Sequence, residues 1–170
     1  MAHPDQIGNY KITGELARGG MGIVYKAYHN TLKTPVAIKI LIDPDASINK
    51  RFRQEAKVLA SLKHPNLLQV VDYGDYFNPT NRMKYPYMVM EFINGVDLSN
   101  ILKKRGIPEL KWSIKTISII GEVLSHIHEA GIVHRDLKPS NILIENETNR
   151  PVLVDFGLVK RDQKNSALNL

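Results

Sequence analysis

Eight residues constrain this chain more than anything else in it: His134-Arg135-Asp136-Leu137-Lys138-Pro139-Ser140-Asn141. Carboxylate, cation and amide groups crowded into so short a run need regular structure on both sides to hold a geometry. The flanks provide it. Upstream, Trp112 to Ala130 places Ile114, Ile117, Ile120, Leu124 and Ile127 at the spacing of one helical stripe, and Gly131 stops the helix. Downstream, Ile142–Ile144 and Val152–Val154 read as short strands around a turn rich in Asn and Glu, and Asp155-Phe156-Gly157 follows. An Asp oriented by its neighbours accepts a proton from an alcohol. A Lys two residues later neutralises phosphate charge. An Asn side-chain oxygen ligates a hard divalent cation. A carboxylate ending a buried strand before Gly is a good second ligand. Asn141 and Asp155 end one connected strand pair, so both can face one site.

The first half of the chain has sheet character. Tyr10–Thr13 leads through a glycine cluster to Ile23–Tyr28, which reads as a hairpin, and Thr34–Ile42 is an apolar strand stopped by Asp43-Pro44-Asp45. Ser47 is expected to cap a helix running to about Leu62, with Phe52, Glu55, Leu59 and Leu62 on one face. Strands near Leu67–Tyr76 and Tyr85–Glu91 flank a polar loop. After Asn94-Gly95 the character becomes helical, beginning with Asp97 to Arg105. A carboxylate on the apolar face at Glu55 is costly unless paired. The partner it points to is Lys39, which ends Val36-Ala37-Ile38-Lys39. By themselves these two residues fit a fold-stabilising pair, or a surface lysine at a strand end, as well as a site. Ala17-Arg18-Gly19-Gly20-Met21-Gly22 would let backbone N–H groups approach phosphate oxygens, and fits a plain hairpin turn equally well.

In this order, the glycine loop up to Val24, Val36–Lys39, Glu55, His134–Asn141 and Asp155-Phe156-Gly157 resemble the signature set of the eukaryotic-type protein kinase family. Arg18-Gly19-Gly20-Met21-Gly22 and Met88–Gly95 are similar to bacterial Ser/Thr kinases in particular, and Lys138 with Ser140 resembles the Ser/Thr branch. The likeness runs from about Tyr10 to Lys160.

The resemblance implies an α+β, protein-kinase-like fold. Residues 1–94 would form an ATP-binding lobe, a five-stranded antiparallel sheet with one helix, and residues 95–170 part of a helical second lobe. It implies a protein serine/threonine kinase using ATP and magnesium on protein Ser/Thr hydroxyls. Leu16, Ala17, Arg18, Gly19, Gly20, Met21, Gly22 and Val24 would cover the ATP phosphates. Lys39 would hold the α- and β-phosphates, with Glu55 fixing it. Val24, Ala37 and Leu143 would sandwich adenine. Met90 would be the gatekeeper, with backbone groups of Glu91 and Ile93 on the adenine edge, and Asp97 would reach the ribose. Asp136 would be the base, Lys138 would contact the γ-phosphate, and Asn141 and Asp155 would bind magnesium. His134 and Phe156 would be packing residues.

Two departures stand out. Ala17 occupies the first glycine position of the phosphate loop, which implies altered loop mobility rather than lost binding. Nothing after Gly157 resembles the rest of an activation segment, and no Ala-Pro-Glu appears. The expectation is a C-terminally truncated catalytic domain that exposes apolar surface on its lower lobe and self-associates through it. A nucleotide- or partner-binding remnant without catalysis is the alternative. A small-molecule phosphotransferase of related fold is disfavoured by Arg135 and the Lys138-Pro139-Ser140 context.

Composition adds exclusions. With no Cys in 170 residues there is no disulfide scaffold, thiolate zinc site or thiol nucleophile. The net charge of +6 is spread along the chain, and its densest groups, Lys50–Arg53 and Lys103–Arg105, read as solvated helix faces. No aromatic interleaving supports a nucleic-acid partner. No apolar run approaches the ~20 residues of a membrane span, and no secretory leader is visible, so the expected location is cytoplasmic. His126 and His128 stand two apart on a helix and cannot share a metal. Asn146-Glu147-Thr148 is a chance glycosylation match.

Overall fold

The computed structural model describes residues 4–20, 22–42 and 45–154, with the backbone alone at Arg105. The chain divides into two compact units. One comprises the chain up to Lys63 together with Leu68–Ile93; the other comprises His64–Leu67 and the chain from Asn94 onward.

The first unit is a sheet with one helix. Strands β1 (Gln6–Ile7), β2 (Tyr10–Arg18), β3 (Gly22–His29), β4 (Pro35–Leu41), β5 (Val70–Phe77) and β6 (Lys84–Glu91) pair antiparallel in the order β1-β2-β3-β4-β6-β5. Six strands among the described residues replace the expected five. The addition is the two-residue β1, folded back on β2 by a turn in which Gly8 has φ +52°.

Period-2 alternation decides which side chains meet. Ile23, Tyr25 and Ala27 of β3 join Val36, Ile38 and Ile40 of β4 and Tyr85, Tyr87 and Val89 of β6 in one buried cluster. The residues between them point to the opposite face. The β3–β4–β6 register there aligns Val24 with Lys39 and Met88, and Lys26 with Ala37 and Met90.

Helix α1 (Ala46–Ser61) buries Phe52, Glu55, Ala56 and Leu59. Its cap is Asp45 rather than Ser47. The Asp45 carboxylate accepts from the Ser47 and Ile48 backbone N–H groups, so the helix starts two residues earlier and Ser47 lies inside its first turn.

The second unit holds a three-stranded sheet of β7 (Gly95–Asp97), β8 (Ile142–Glu145) and β9 (Pro151–Leu153) in that order, with α2 (Leu98–Arg105), α3 (Leu110–Glu129) and a 3₁₀ turn at Pro139–Asn141. Residues 64–67 dock on β9. Leu67 bridges Leu153, the Leu153 N–H donates to the Asn66 carbonyl at 2.8 Å, and Asn66 Nδ2 donates to the Pro151 carbonyl at 2.7 Å.

Helix α3 carries two apolar stripes, not one. Thr116, Ile120, Val123 and Ile127 are buried. Ile114 and Ile117, expected beside Ile120 and Ile127, are 56% and 71% exposed, in line with Leu110 at 73%. At 100° per residue the two stripes lie roughly 100° apart around the helix, so one sheet cannot cover both. Ile107, just before the helix, is 95% exposed and extends the uncovered stripe. Among the described residues no helix is long and apolar enough to cross a membrane.

Candidate functional site

The first unit gathers its expected site residues by register. Val24, Ala37, Lys39 and Met90 share the sheet face opposite the buried cluster, although they come from three strands. Ala17 pairs with Val24 across β2 and β3, which brings the glycine hairpin to the edge of the same face. A bulge between Glu15 and Ala17 displaces Leu16, which is 48% exposed. The Gly19 N–H donates to the Gly22 carbonyl at 2.9 Å and closes the hairpin.

The glycines of this loop differ physically. A Cβ at Gly22 would stand 2.3 Å from the Ile40 carbonyl oxygen, so glycine is required there by the approach of β4. Gly19 and Gly20 have nothing within 4 Å of such a Cβ and are exposed, leaving their backbone accessible. Arg18 pairs with Glu15 on its own strand, and that bond raises the guanidinium pKa further. Met21 lies outside the described residues.

Lys39 is half-buried on the shared face, and Glu55 is buried on α1 at 4% exposure. The stretch after Met90 is anchored at Glu91. Its N–H donates to the Gln69 carbonyl at 3.0 Å, and its carboxylate accepts from the Gln69 N–H at 3.0 Å. Any ligand contact from the Glu91 backbone therefore falls to its carbonyl. Ile93 is buried.

In the second unit the chemistry is local. His134 is buried at 2% exposure, and its Nδ1 accepts from the Asp136 N–H at 3.3 Å, so the histidine shapes the loop from inside. Arg135 has φ +63°, a left-handed conformation that a bulky residue adopts only under constraint. This reversal turns the chain between buried His134 and half-buried Asp136.

The Asp136 carboxylate accepts from Lys138 Nζ at 2.7 Å and from Asn141 Nδ2 at 3.1 Å. Asn141 Nδ2 also donates to the Asp136 carbonyl at 2.8 Å. The bond from Lys138, then that from Asn141, hold the Asp136 pKa below the ordinary carboxylate value, and the group is ionised at neutral pH.

Asn141 is buried, and its Nδ2 is committed to Asp136, so Oδ1 is the atom with which it can meet a cation. An amide oxygen suits a hard cation such as magnesium. The Val154 N–H donates to the Asn141 carbonyl at 2.9 Å, which ties the end of β9 to this residue. Asp155, the other expected ligand, and Phe156 lie outside the described residues. Among the described residues no three His, Asp or Glu side chains form a metal cluster.

Asp97 and Leu143 are cross-strand partners of β7 and β8. Asp97 also caps α2, accepting from the Asn100 N–H at 2.9 Å. A capping carboxylate is fixed in orientation, and a ribose would compete with Asn100 for its oxygens.

Two residues with no assigned role stand beside the expected set. Lys26 shares the face of Val24 and Ala37, and its Nζ lies 4.4 Å from the centroid of the Phe92 ring. Period 2 counted onward from Val24 places Lys26 on that face, but no sequence pattern pairs it with Phe92.

Comparison with known proteins agrees with the motif order. Residues 10–169 match the protein kinase domain family. The chain is 40% identical over 157 residues to serine/threonine-protein kinase PknA of Mycobacterium tuberculosis, covering 90% of this chain and 36% of that protein. It is 37% identical over 164 residues to serine/threonine-protein kinase PknB of the same organism, covering 94% of this chain and 26% of that protein. The chain thus spans about a third or less of these curated relatives. Among solved structures, a variant of the Mycobacterium tuberculosis PknI kinase domain superposes with a TM-score of 0.76 at 26% identity, covering 94% of this chain and 65% of that one.

Proposed function

The chain belongs to the protein kinase family, and from that premise we propose that it carries the nucleotide-binding and catalytic-loop portion of a serine/threonine protein kinase acting on protein hydroxyls. The observation that carries this reading is the Asp136 carboxylate, ionised and oriented by Lys138 and Asn141 within one short loop.

We assign residues 1–94 to the nucleotide lobe and 95–170 to part of the catalytic lobe. On the first unit, Val24 and Ala37 would pack on adenine with Met90 as gatekeeper. The Glu91 carbonyl and Ile93 N–H would meet its polar edge. Lys39, fixed by Glu55, would hold the α- and β-phosphates under the Leu16–Val24 hairpin, which includes Ala17, Arg18, Gly19, Gly20, Met21 and Gly22. On the second unit, Leu143 would contact adenine and Asp97 the ribose.

Asp136 would accept the proton of the substrate hydroxyl as its oxygen bonds the γ-phosphorus and the bond to the ADP oxygen breaks. Lys138 would leave Asp136 for the γ-phosphate as charge moves there. Asn141 through Oδ1, with Asp155, would hold magnesium, which supplies charge neutralisation on the phosphate oxygens. The chain's own contribution is positioning and preorganised charge.

The test is Asp136→Asn. Phosphoryl transfer should be abolished while the magnesium-dependent thermal shift with ATP stays near wild type. Transfer persisting in this variant means that the base is elsewhere. The exposed stripe of Ile107, Leu110, Ile114 and Ile117 supports self-association of the 170-residue chain. Sedimentation of Ile117→Asp against wild type reads this out, with a lower association state expected for the variant.

A further inference from the structure

Lys26 is held by aromatic rings rather than left to solvent. Its ammonium stands 4.4 Å from the Phe92 centroid and 6.0 Å from that of Tyr28. Both distances lie within the range of cation–π attraction. Phe92 occupies a sensitive place. The Glu91 carbonyl belongs to the peptide plane on its N-terminal side, and the Ile93 N–H to the plane on its C-terminal side. Both planes are rigid, so the two torsions at Phe92 set the angle between that acceptor and that donor. Glu91 is secured by Gln69 and Ile93 by burial. The Phe92 side chain is the remaining handle on the segment.

We propose that Lys26 is a positioning residue for adenine: its ammonium pins the Phe92 ring and so fixes the Glu91 carbonyl and Ile93 N–H at the angle the adenine edge requires. The proposal rests on the nucleotide-site reading above. Lys26 itself touches no base. It acts from β3 on a segment distant in sequence, across the sheet face that carries Val24, Ala37 and Met90.

The test compares ADP with inorganic tripolyphosphate, each with magnesium, by calorimetry on the 170-residue chain. Lys26→Met keeps the stem and removes the charge. It should weaken ADP binding about two- to fivefold, the scale of one partly exposed cation–π contact. Tripolyphosphate, which has no base, should bind as in wild type. Phe92→Leu should match this pattern, the double variant should be no weaker than either single one, and Lys26→Arg should restore ADP binding. Equal losses for both ligands would mark a merely structural lysine and overturn the proposal. So would an unchanged ADP affinity in Lys26→Met, or additive effects in the double variant. If wild type binds tripolyphosphate but shows no preference for ADP, the adenine site itself is wrong. If it binds neither, the nucleotide reading falls as a whole.

Discussion

The two units assemble functional groups in opposite ways. In the first, Val24, Ala37, Lys39 and Met90 are scattered along the sequence and meet because three strands pair in one register. In the second, Asp136, Lys138 and Asn141 lie within six positions and are joined by their own hydrogen bonds. A face made by register fails collectively, since a one-residue slip turns every side chain over. A loop made by local bonds fails one contact at a time. The difference shows which substitutions should spread their damage and which should confine it.

The largest expected effect breaks register. Gly22→Ala puts a methyl 2.3 Å from the Ile40 carbonyl oxygen, and strand separation should cost about 1–3 kcal/mol. Thermal unfolding should show a midpoint several degrees lower, and the shift with ATP should shrink as well. Gly20→Ala, with open space around it, is the control and should leave the midpoint nearly unchanged. Equal behaviour of the two would break the contrast drawn above.

Next comes the local side. Asn141→Ala removes both bonds to Asp136 from a buried position, for about 1–2 kcal/mol. Transfer should fall with it while the ATP-induced shift without magnesium is kept, which sharpens the claim of confined damage.

Smaller still is Lys138→Met. Its bond is the main cause of the lowered Asp136 pKa, so the carboxyl should titrate at higher pH in the variant, as followed by NMR. The wild-type native carboxylate holds its proton less tightly than the unfolded chain does. Its stabilising contribution is therefore present above the unfolded pKa and lost as pH falls through the native one. Lys138→Met should flatten that acid limb.

The smallest effect concerns His64, whose ring lies tilted against that of His126 with 5.4 Å between centroids. Burial, then the His126 charge, lowers the His64 pKa below its ordinary 6.5, with Glu122 opposing. The unfolded chain takes up this proton more readily. Stability should thus decline as pH drops below about 6.5, and His64→Gln should flatten the decline in a pH series of unfolding midpoints.

Much of this was legible in sequence because the deciding contacts are short-range or periodic. The Asp136 loop lies within one run of eight residues, and β3 and most of β4 alternate cleanly between buried and half-buried side chains. Other features were hidden for physical reasons. Asp45 and Ser47 are both competent caps, and only the chain path selects Asp45. The expected α3 stripe merged two faces, because helical spacing does not reveal which face a partner covers. The need for glycine at position 22 comes from the close approach of β4, and the Lys26–Phe92 contact joins strand to loop across a large sequence gap. Neither leaves a local mark.

The sheet order also has a kinetic consequence. Strands β2, β3 and β4 form a meander and β5 with β6 a hairpin, both closable by short loops. The seam that joins them pairs residues as remote as Val36 and Glu91, across α1. Distant closures are slow. The Ala37–Met90 and Lys39–Met88 pairs straddle this seam. Refolding monitored through ATP-dependent protection should therefore lag behind hairpin formation, and nucleotide should speed no step that precedes seam closure.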